Sequence, residues 1–541
     1  MHRVAAAVAL ALLAAAPEAR ASDGVDFSAT LHLRETFLGN PAYPRLGYDP
    51  SAQSFSLAGY LVPEGGEQFS SGFATLAVGG RHLEGDLRWT ISVDTGELRR
   101  QGLPESVPVC LSTDSTGLAA PGGGTCRLFA TRDGLRRTIV PLASTATGAP
   151  EVTSNGRALS DELAGTLFVR EAYAAAALGR AGFATVRAGR MRLAVADGFV
   201  YDDYATGAEV ALDVGAVGPP LAISVAVFEP SRDLPGSVAQ VSPMLAVRAD
   251  FLPSLFERAG LFLAVHRDRS GGMAELLRDA LVERLATQIL RAAPTDQRAA
   301  DEQLAVLEAA PAASEATLAW LGTSGSLAPW RGQRFAWTGA TLRGRVDRIE
   351  AAIRLDPTRP PATLAQDLGL EGYLASARWE VDLARRLTAG ASFLLLSGGA
   401  LPRSGGIASP LAGTYHGFIG VSPFVTNTNL FFGGGLSNSF ATRRATAPGV
   451  NGRGVIAPGL SLAWDPRDDL AVHASGTWLR ADAPGPFGGV VYGTEADLEA
   501  TWQLARWLQV GAEADALFPG NFFPGDRPMT KVVLALDVLT Q

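Results

Sequence analysis

The sequence predicts an all-β protein, a transmembrane antiparallel β-barrel of about 18–20 strands with a helical loop insertion. Three observations lead to this fold class. Apolar and polar residues alternate along many segments of about ten residues. The connections between these segments alternate between short and long, and beyond residue 21 no apolar run is long enough to span a bilayer as a helix. A soluble β-sandwich shares the alternation along strands but has no reason to keep the alternating connection lengths.

The composition of the chain excludes several classes of protein. Of 541 residues, 47% are hydrophobic and only 18% are charged, against roughly 25% charged in ordinary soluble domains. This balance argues against a disordered chain. The net charge of −8 argues against a nucleic-acid-binding surface, which is normally basic. The 61 glycines and 33 prolines suit many turns better than long helices.

The first 21 residues have the pattern of a Sec-type signal peptide. His2 and Arg3 give a short positive end, residues 4–16 are apolar, and residues 19–21 form an A-x-A cleavage site. A retained anchor is the alternative, but the apolar run is shorter than the about 20 residues that a spanning helix needs. We predict export through the periplasm, with residues 22–541 forming a single barrel in the outer membrane of a Gram-negative cell.

Alternation is clearest near the C-terminus. Leu498, Trp502 and their apolar neighbours occupy one face of a predicted strand, and Glu495, Asp497 and Glu499 occupy the other. Outer-membrane barrels have short periplasmic turns and longer extracellular loops. The predicted tight turns are at residues 179–182, 344, 385–387, 426–428, 465–468 and 505–506, and the predicted long loops are at residues 193–206, 356–368, 399–410, 441–453, 481–489 and 518–527.

Two long insertions interrupt the pattern, at residues 99–160 and 268–331. The first contains Cys110 and Cys126, which in an exported protein predict a disulfide, with metal binding as the weaker alternative. In the second, apolar residues recur every four positions from Leu277 to Ile289, which predicts a helix. This helical insertion either caps an extracellular loop or folds toward the lumen as a lid or constriction.

The polar faces of the strands form the predicted functional surface. Each charged side chain on them suits pairing with a neighbouring strand, and together they suit a water-filled interior. The predicted lumen-facing residues are Arg88, Arg190, Arg192, Arg348, Arg354, Arg378, Glu380, Asp382, Glu495, Asp497, Glu499, Glu513, Asp515 and Lys531, the last of which is the only lysine of the chain.

The sequence predicts no catalytic, cofactor-binding or metal site. The six histidines are scattered without the spacing of a ligand set, and no phosphate-binding glycine motif is present. His473 and Ser475 share a polar face, which is the weak basis for a hydrolase. A lumen-facing hydrogen-bonded pair explains them more simply.

The C-terminal third resembles the alginate-export-type outer-membrane barrels. The similar residues are Tyr-Gly-Thr-Glu-Ala-Asp-Leu at 492–498, the strand at 508–516 and the aromatic-Pro-Gly segment at 518–523. Residues 170–173 and 188–191 are also similar, although Met191 replaces a glutamine and the chain ends in Thr540 and Gln541 rather than an aromatic residue. The resemblance implies a passive export or uptake channel.

We therefore predict a diffusive outer-membrane channel for a hydrophilic solute, either a polysaccharide or a small organic molecule. Its expected partners are outer-membrane lipid, the solute and a periplasmic export partner, with no nucleic acid, no cofactor and no enzymatic activity. The alternative is a structural or adhesive barrel with a closed lumen.

Overall fold

The structure of the protein is a computed structural model. It describes residues 25–39, 47–49, 54–56, 67–82, 87–94, 98–101, 130–132, 136–138, 168–179, 183–216, 218–230, 242–254, 257–269, 315–353, 362–399, 413–421, 427–432, 435–436, 453–484, 489–522 and 528–540. The signal-peptide residues, Cys110, Cys126, Arg354 and the predicted helices at residues 277–309 lie outside this set, so these assignments stay predictions.

Eighteen strands form the wall. They are β1 Val25–Gly39, β2 Glu67–His82, β3 Leu87–Asp94, β4 Phe168–Leu178, β5 Ala184–Val195, β6 Tyr201–Asp213, β7 Leu221–Pro230, β8 Met244–Ser254, β9 Glu257–Asp268, β10 Glu315–Leu327, β11 Gln333–Ile353, β12 Ala362–Ala384, β13 Leu387–Leu396, β14 Val455–Arg467, β15 Leu470–Arg480, β16 Val491–Ala505, β17 Leu508–Pro519 and β18 Met529–Thr540. Shorter strands are Gly47–Asp49, Ser54–Ser56, Leu98–Gln101, Ala130–Arg132, Arg136–Thr138 and Thr414–Tyr415.

The sheet closes on itself. Each wall strand pairs antiparallel with its neighbours in sequence, and β1 pairs with both β2 and β18. Phe27 lies opposite Val78 on one side of β1, and His32 lies opposite Asp537 on the other. Because both edges of β1 are paired, the barrel has no free edge there. The predicted fold class is confirmed, with a strand number at the lower end of the predicted range.

The two faces of the wall have opposite polarity. On β16, Leu498 and Trp502 are 51% and 41% exposed on the outer face, whereas Glu495 and Asp497 are 0% and 5% exposed on the inner face. Successive side chains of a strand point to opposite sides, so the sequence alternation becomes an apolar outside and a polar inside. A soluble protein has the reverse arrangement.

Tryptophan follows the outer face. Of nine tryptophans, Trp320 alone points inward, and it is fully buried. The strand registers and turns place the other eight on the outer face or in a tight turn; these are Trp89, Trp330, Trp337, Trp379, Trp464, Trp478, Trp502 and Trp507. Most of them lie within a few residues of the tight turns, so they form a belt near one end of the barrel.

Tight turns gather at that end. The connections after β12, β14 and β16 have two residues each, at 385–386, 468–469 and 506–507, as predicted. Two other predicted connections are wrong. Gly344 lies inside β11 opposite Leu318, and the turn before β11 is at residues 328–332. The predicted long loop at 193–206 has only five residues, between Val195 and Tyr201.

The predicted boundaries of the helical insertion are also wrong. Asp268 ends β9, and Glu315–Leu327 forms β10, which pairs with β9 and β11 along its whole length. In the described part of the chain, the only helical elements are single 3-10 turns at Ala196–Gly198 and Val214–Ala216. None of the described helices is long and apolar enough to cross a membrane.

Candidate functional site

A segment between β13 and β14 runs through the barrel interior. We call its described residues, 413–421, 427–432 and 435–436, the crossing segment. The sequence predicts two more wall strands around a turn at 426–428, and this prediction is wrong. Because β13 pairs directly with β14, with Leu387 opposite Trp464, the wall has no gap for them.

The first part of the crossing segment packs against the β10 to β13 side. Thr414–Tyr415 pairs parallel with Gly369 and Leu370 on β12, beyond the end of β13. Phe418 N–H donates to the Ser397 carbonyl at 2.8 Å. The indole N–H of Trp320 donates to the Ile419 carbonyl at 3.0 Å. Tyr415, Phe418 and Ile419 are buried in an apolar cluster with Trp320. Burial raises the pKa of the Tyr415 phenol, so it stays neutral.

The connection between β5 and β6 folds inward to meet this part. Val421 N–H donates to the Val200 carbonyl at 2.7 Å. Ala196 and Asp197 have φ of 56° and 50°, a left-handed conformation that costs energy for residues other than glycine. The Asp197 carboxylate accepts hydrogen bonds from Arg258 at 2.9 Å and Thr338 at 2.6 Å. These two bonds to β9 and β11 stabilise the strained turn.

The second part of the crossing segment lies against the inner face of β16 and β17. The Glu495 carboxylate accepts the backbone N–H groups of Leu430 at 2.5 Å and Phe431 at 2.9 Å. The Glu513 carboxylate accepts the N–H of Leu436. The Phe431 ring packs on Tyr492, with 4.9 Å between ring centroids. Wall carboxylates therefore supply the partners that the backbone of an irregular buried segment needs.

Lys531 on β18 contacts both the wall and the crossing segment. Its Nζ donates to the Asn429 carbonyl at 2.6 Å and lies 2.7 Å from Glu513 Oε1 and 3.1 Å from Asp515 Oδ2. The Asn429 side-chain amide donates to Asp515 Oδ1 at 3.1 Å. On β1, Arg34 donates to the Leu436 carbonyl at 2.7 Å. The crossing segment is thus held at both sides of the interior.

Gly435 is required where the crossing segment approaches β17. Its φ is 74°, which L-residues with a side chain adopt at a cost. A Cβ added there would meet the Glu513 carboxylate. The glycine therefore allows the close approach that lets the next residue donate its N–H to that carboxylate.

The structure brings five predicted lumen-facing residues into one cluster on three adjacent strands. Within it, Asp497 Oδ2 accepts a hydrogen bond from Ser475 Oγ at 2.8 Å. Glu499 lies on the same face of β16, closer to the tight turn after Ala505. The five residues, which we call the acidic cluster, are Glu495, Asp497, Glu513, Asp515 and Lys531.

A second group of predicted residues lies on β12. Arg378 Nη2 is 2.7 Å from Glu380 Oε1, and Arg334 on β11 lies 3.3 Å from Glu380 and 3.7 Å from Asp382. These side chains alternate with Trp379, which is exposed on the outer face. Among the described residues, the ion pairs and hydrogen bonds of this group join strands of the wall and do not reach the crossing segment.

The remaining predicted residues lie elsewhere. Arg88 is on β3, on the opposite face from the exposed Ile91. Met191 is fully buried on the inner face of β5. Arg190 and Arg192 alternate with it, so the register puts both arginines on the outer face of β5.

Each of these two arginines binds a residue of a neighbouring strand. Arg192 forms a bidentate ion pair with Asp202, with Nε donating to Oδ1 at 2.8 Å and Nη2 to Oδ2 at 2.9 Å. Arg190 donates to the Val169 carbonyl at 2.8 Å. Four strands separate β5 from β18, so neither belongs to the acidic cluster. The side chain of Arg348 is outside the described set.

Several residues of the site were missed by the sequence reasoning. The Asp537 carboxylate on β18 accepts hydrogen bonds from Arg34 at 2.5 and 3.2 Å and lies 2.7 Å from His32 Nδ1. The period-two pattern of β1 and β18 places all three on inner faces, so this signal was available. Asn429 and Asp197 carry no comparable signal, because each lies in irregular backbone.

The wall lines two cavities. One of about 340 Å³ is lined by β5 to β10, including Arg187, Glu209, Arg248 and Phe262. Arg187 pairs with Glu209, its Nε at 2.6 Å, and Arg248 pairs with Asp250 at 2.7 Å. The other, of about 560 Å³, opens at the tight-turn end and is lined by charged turn residues together with Gln503 and Gln509. Among the described residues, no group of three or more His, Cys, Asp or Glu side chains is arranged to hold a metal ion.

The comparisons with known proteins find likeness only among solved structures. OccK11 (OpdR) of Pseudomonas aeruginosa is 11% identical over 96% of this chain and 98% of that chain, with a TM-score of 0.43. A BenF-like porin from Pseudomonas fluorescens Pf-5 is 10% identical over 95% of this chain and 98% of that one, with a TM-score of 0.45. No family model and no curated protein matches the chain.

These values are too low to transfer a solute or an activity to this chain. They also give no support to the resemblance to the alginate-export-type barrels. The functional conclusion therefore depends on the surfaces and contacts of this barrel alone.

Proposed function

We propose that the protein is an outer-membrane channel through which a small hydrophilic solute diffuses. The observation that carries this proposal is the inverted polarity of the wall. Large apolar side chains such as Leu261, Leu460 and Leu534 are 66%, 71% and 51% exposed on the outside, whereas Glu495, Glu513 and Lys531 are buried inside. Contact with lipid stabilises the apolar outer surface. A closed barrel also pairs the backbone N–H and C=O groups of its strands with one another, which is necessary because lipid offers them no hydrogen-bond partners.

The outer surface has the layers of a membrane-spanning barrel. Tryptophans form the belt near the tight turns, as expected at a membrane interface. Toward the opposite end, the outer face carries charged pairs, with 2.9 Å between Arg267 and Glu315, 3.4 Å between Arg343 and Glu371 and 2.6 Å between Arg345 and Asp347. An apolar band separates the two levels. This layering supports periplasmic tight turns and an external face for the charged pairs.

The interior favours a small solute. The crossing segment narrows the lumen, and the cavity of about 340 Å³ lined by β5 to β10 is at the lower end of the size of small-molecule sites. A polysaccharide chain would need a wider passage. A closed structural or adhesive barrel is the second candidate, and the apolar packing of Ile419 and Phe418 around Trp320 favours it.

Planar-bilayer recording of the refolded protein separates the two candidates. A channel gives discrete conductance steps, and a closed barrel gives none although it inserts. A liposome-swelling series with neutral sugars of increasing size then measures the largest solute that passes through the channel. Swelling that falls steeply between monosaccharides and trisaccharides is expected, and equal swelling with large oligosaccharides would contradict the narrow passage.

A further inference from the structure

The only lysine of the chain is at the centre of the acidic cluster. Lysine and arginine together number 46, and Lys531 is the single lysine. Its side chain is 6% exposed, and that of its partner Glu513 is fully buried. In a chain that uses arginine at every other cationic position, a buried lysine indicates a site that a guanidinium does not fit.

The acceptors around Lys531 explain this choice. An ammonium group has three N–H donors arranged around a point charge, whereas a guanidinium is a planar fork. Lys531 Nζ donates to the Asn429 carbonyl at 2.6 Å and lies at ion-pair distance from two carboxylates, 2.7 Å from Glu513 Oε1 and 3.1 Å from Asp515 Oδ2. The two carboxylates belong to β17 and the carbonyl to the crossing segment. A compact point charge fits between two neighbouring carboxylates, whereas a planar fork needs more room.

We propose that Lys531 is the clamp that holds the crossing segment on the wall and thereby sets the width of the pore. This inference rests on the proposed channel function. The clamp acts through more than its own bond to Asn429. The same two carboxylates accept the Leu436 N–H and the Asn429 side-chain amide, and without the ammonium they would face each other as buried like charges.

Loss of the ammonium therefore weakens three attachments of the crossing segment together. The contact of Arg34 with Leu436 and the contacts of Glu495 remain, so the barrel wall is expected to fold. Lys531 is a positioning residue in this scheme: it fixes the segment that narrows the lumen.

Single-channel recording of K531R and K531M tests the clamp. We expect a larger conductance step from K531M and a step above wild type from K531R, because a planar fork does not fit between the two carboxylates and the Asn429 carbonyl as a compact ammonium does. Wild-type conductance in K531R would overturn the geometric argument, since charge alone would then suffice. Arg345→Met, which removes a cation from the outer face, is the matched control and is expected to keep the wild-type step.

The lone lysine also reports on the clamp directly. In the refolded protein, an N-hydroxysuccinimide ester can acylate only Lys531 and the N-terminal amine, and mass spectrometry measures each rate. We expect Lys531 to react at least tenfold more slowly in the refolded protein than in the urea-unfolded protein at the same pH, because its ammonium is buried and paired with two carboxylates. Glu495→Gln, which loosens the segment beside it, should increase the Lys531 rate, and Arg345→Met should not.

The two experiments distinguish failure of the clamp from failure of the channel. No conductance in wild type refutes the channel while the labelling rates still test the clamp. Conductance in wild type with unchanged steps in both variants, or rapid acylation of wild-type Lys531, overturns the clamp alone. Heat-modifiable migration in gel electrophoresis shows that each variant has folded as a barrel.

Discussion

Leu498→Arg tests whether lipid covers the outer wall. Leu498 is the middle residue of β16, Val491–Ala505, and is 51% exposed on the outer face. Leu504 lies on the same face near the tight turn and is 46% exposed. Because the two leucines have similar exposure on one strand, replacing each by arginine changes only the depth of the new charge.

The strand geometry gives the expected magnitudes. Six residues at about 3.3 Å each separate the two positions by about 20 Å along the strand, or about 15 Å along the membrane normal at a tilt of about 40°. The outer apolar band of such barrels is about 25 Å tall, so Leu498 lies near its middle and Leu504 near its edge. An arginine costs about 2–4 kcal/mol at the midplane and about 0–1 kcal/mol near the interface.

The assay is equilibrium unfolding by urea in phospholipid vesicles, followed by tryptophan fluorescence. The difference in the free energy of unfolding between wild type and each variant is the measured quantity. Leu498→Arg is expected to lose about 1–4 kcal/mol more of the free energy of unfolding than Leu504→Arg. Equal losses, or a loss below about 0.5 kcal/mol for Leu498→Arg, would refute the membrane assignment, because a surface in water tolerates such substitutions.

The other predictions concern the interior and one tight turn. Glu495→Gln should lose about 1–3 kcal/mol of unfolding free energy because it disrupts the acceptor of two backbone N–H groups; Glu499→Gln, on the same face of β16, should lose less in the same urea titration. Gly435→Ala should lose about 1–2 kcal/mol from its left-handed φ alone. A hydrogen bond from the Trp502 indole lowers the pKa of Asp469, so the stabilisation it gives is present at neutral pH and is lost as the pH falls through that lowered pKa. Trp502→Phe should raise this pKa in a carboxyl ¹³C NMR titration.

The wall could be predicted from sequence because its rule is local. On β16, the alternation of Glu495, Asp497 and Glu499 with Leu498 and Trp502 is the direct result of successive side chains pointing to opposite faces. The strict repetition of this rule from strand to strand, with tight turns at one end, is enough to specify a closed barrel. The same pattern placed Glu513, Asp515 and Lys531 on one face, although it did not show that they meet.

The crossing segment could not be predicted because its partners are distant in sequence and are backbone groups. Leu430 and Phe431 read as part of a strand, and their N–H groups do bond, but to a carboxylate 65 and 64 residues away. A backbone N–H has no sequence signature for its partner. The run of three glycines at residues 433–435 is the local sign of irregular backbone in this stretch of the sequence, since glycine readily adopts a positive φ such as that of Gly435.

The contacts of the acidic cluster also bear on solute selectivity. Glu495 and Glu513 accept backbone N–H groups, and Asp515 is bound to Lys531 and Asn429. In the proposed channel, these carboxylates therefore hold the crossing segment in place. The Arg187–Glu209 pair lies away from them, on β5 and β6, where it lines the cavity of about 340 Å³. Substitutions at that pair should change which solutes pass, whereas substitutions in the acidic cluster should change how wide the passage is.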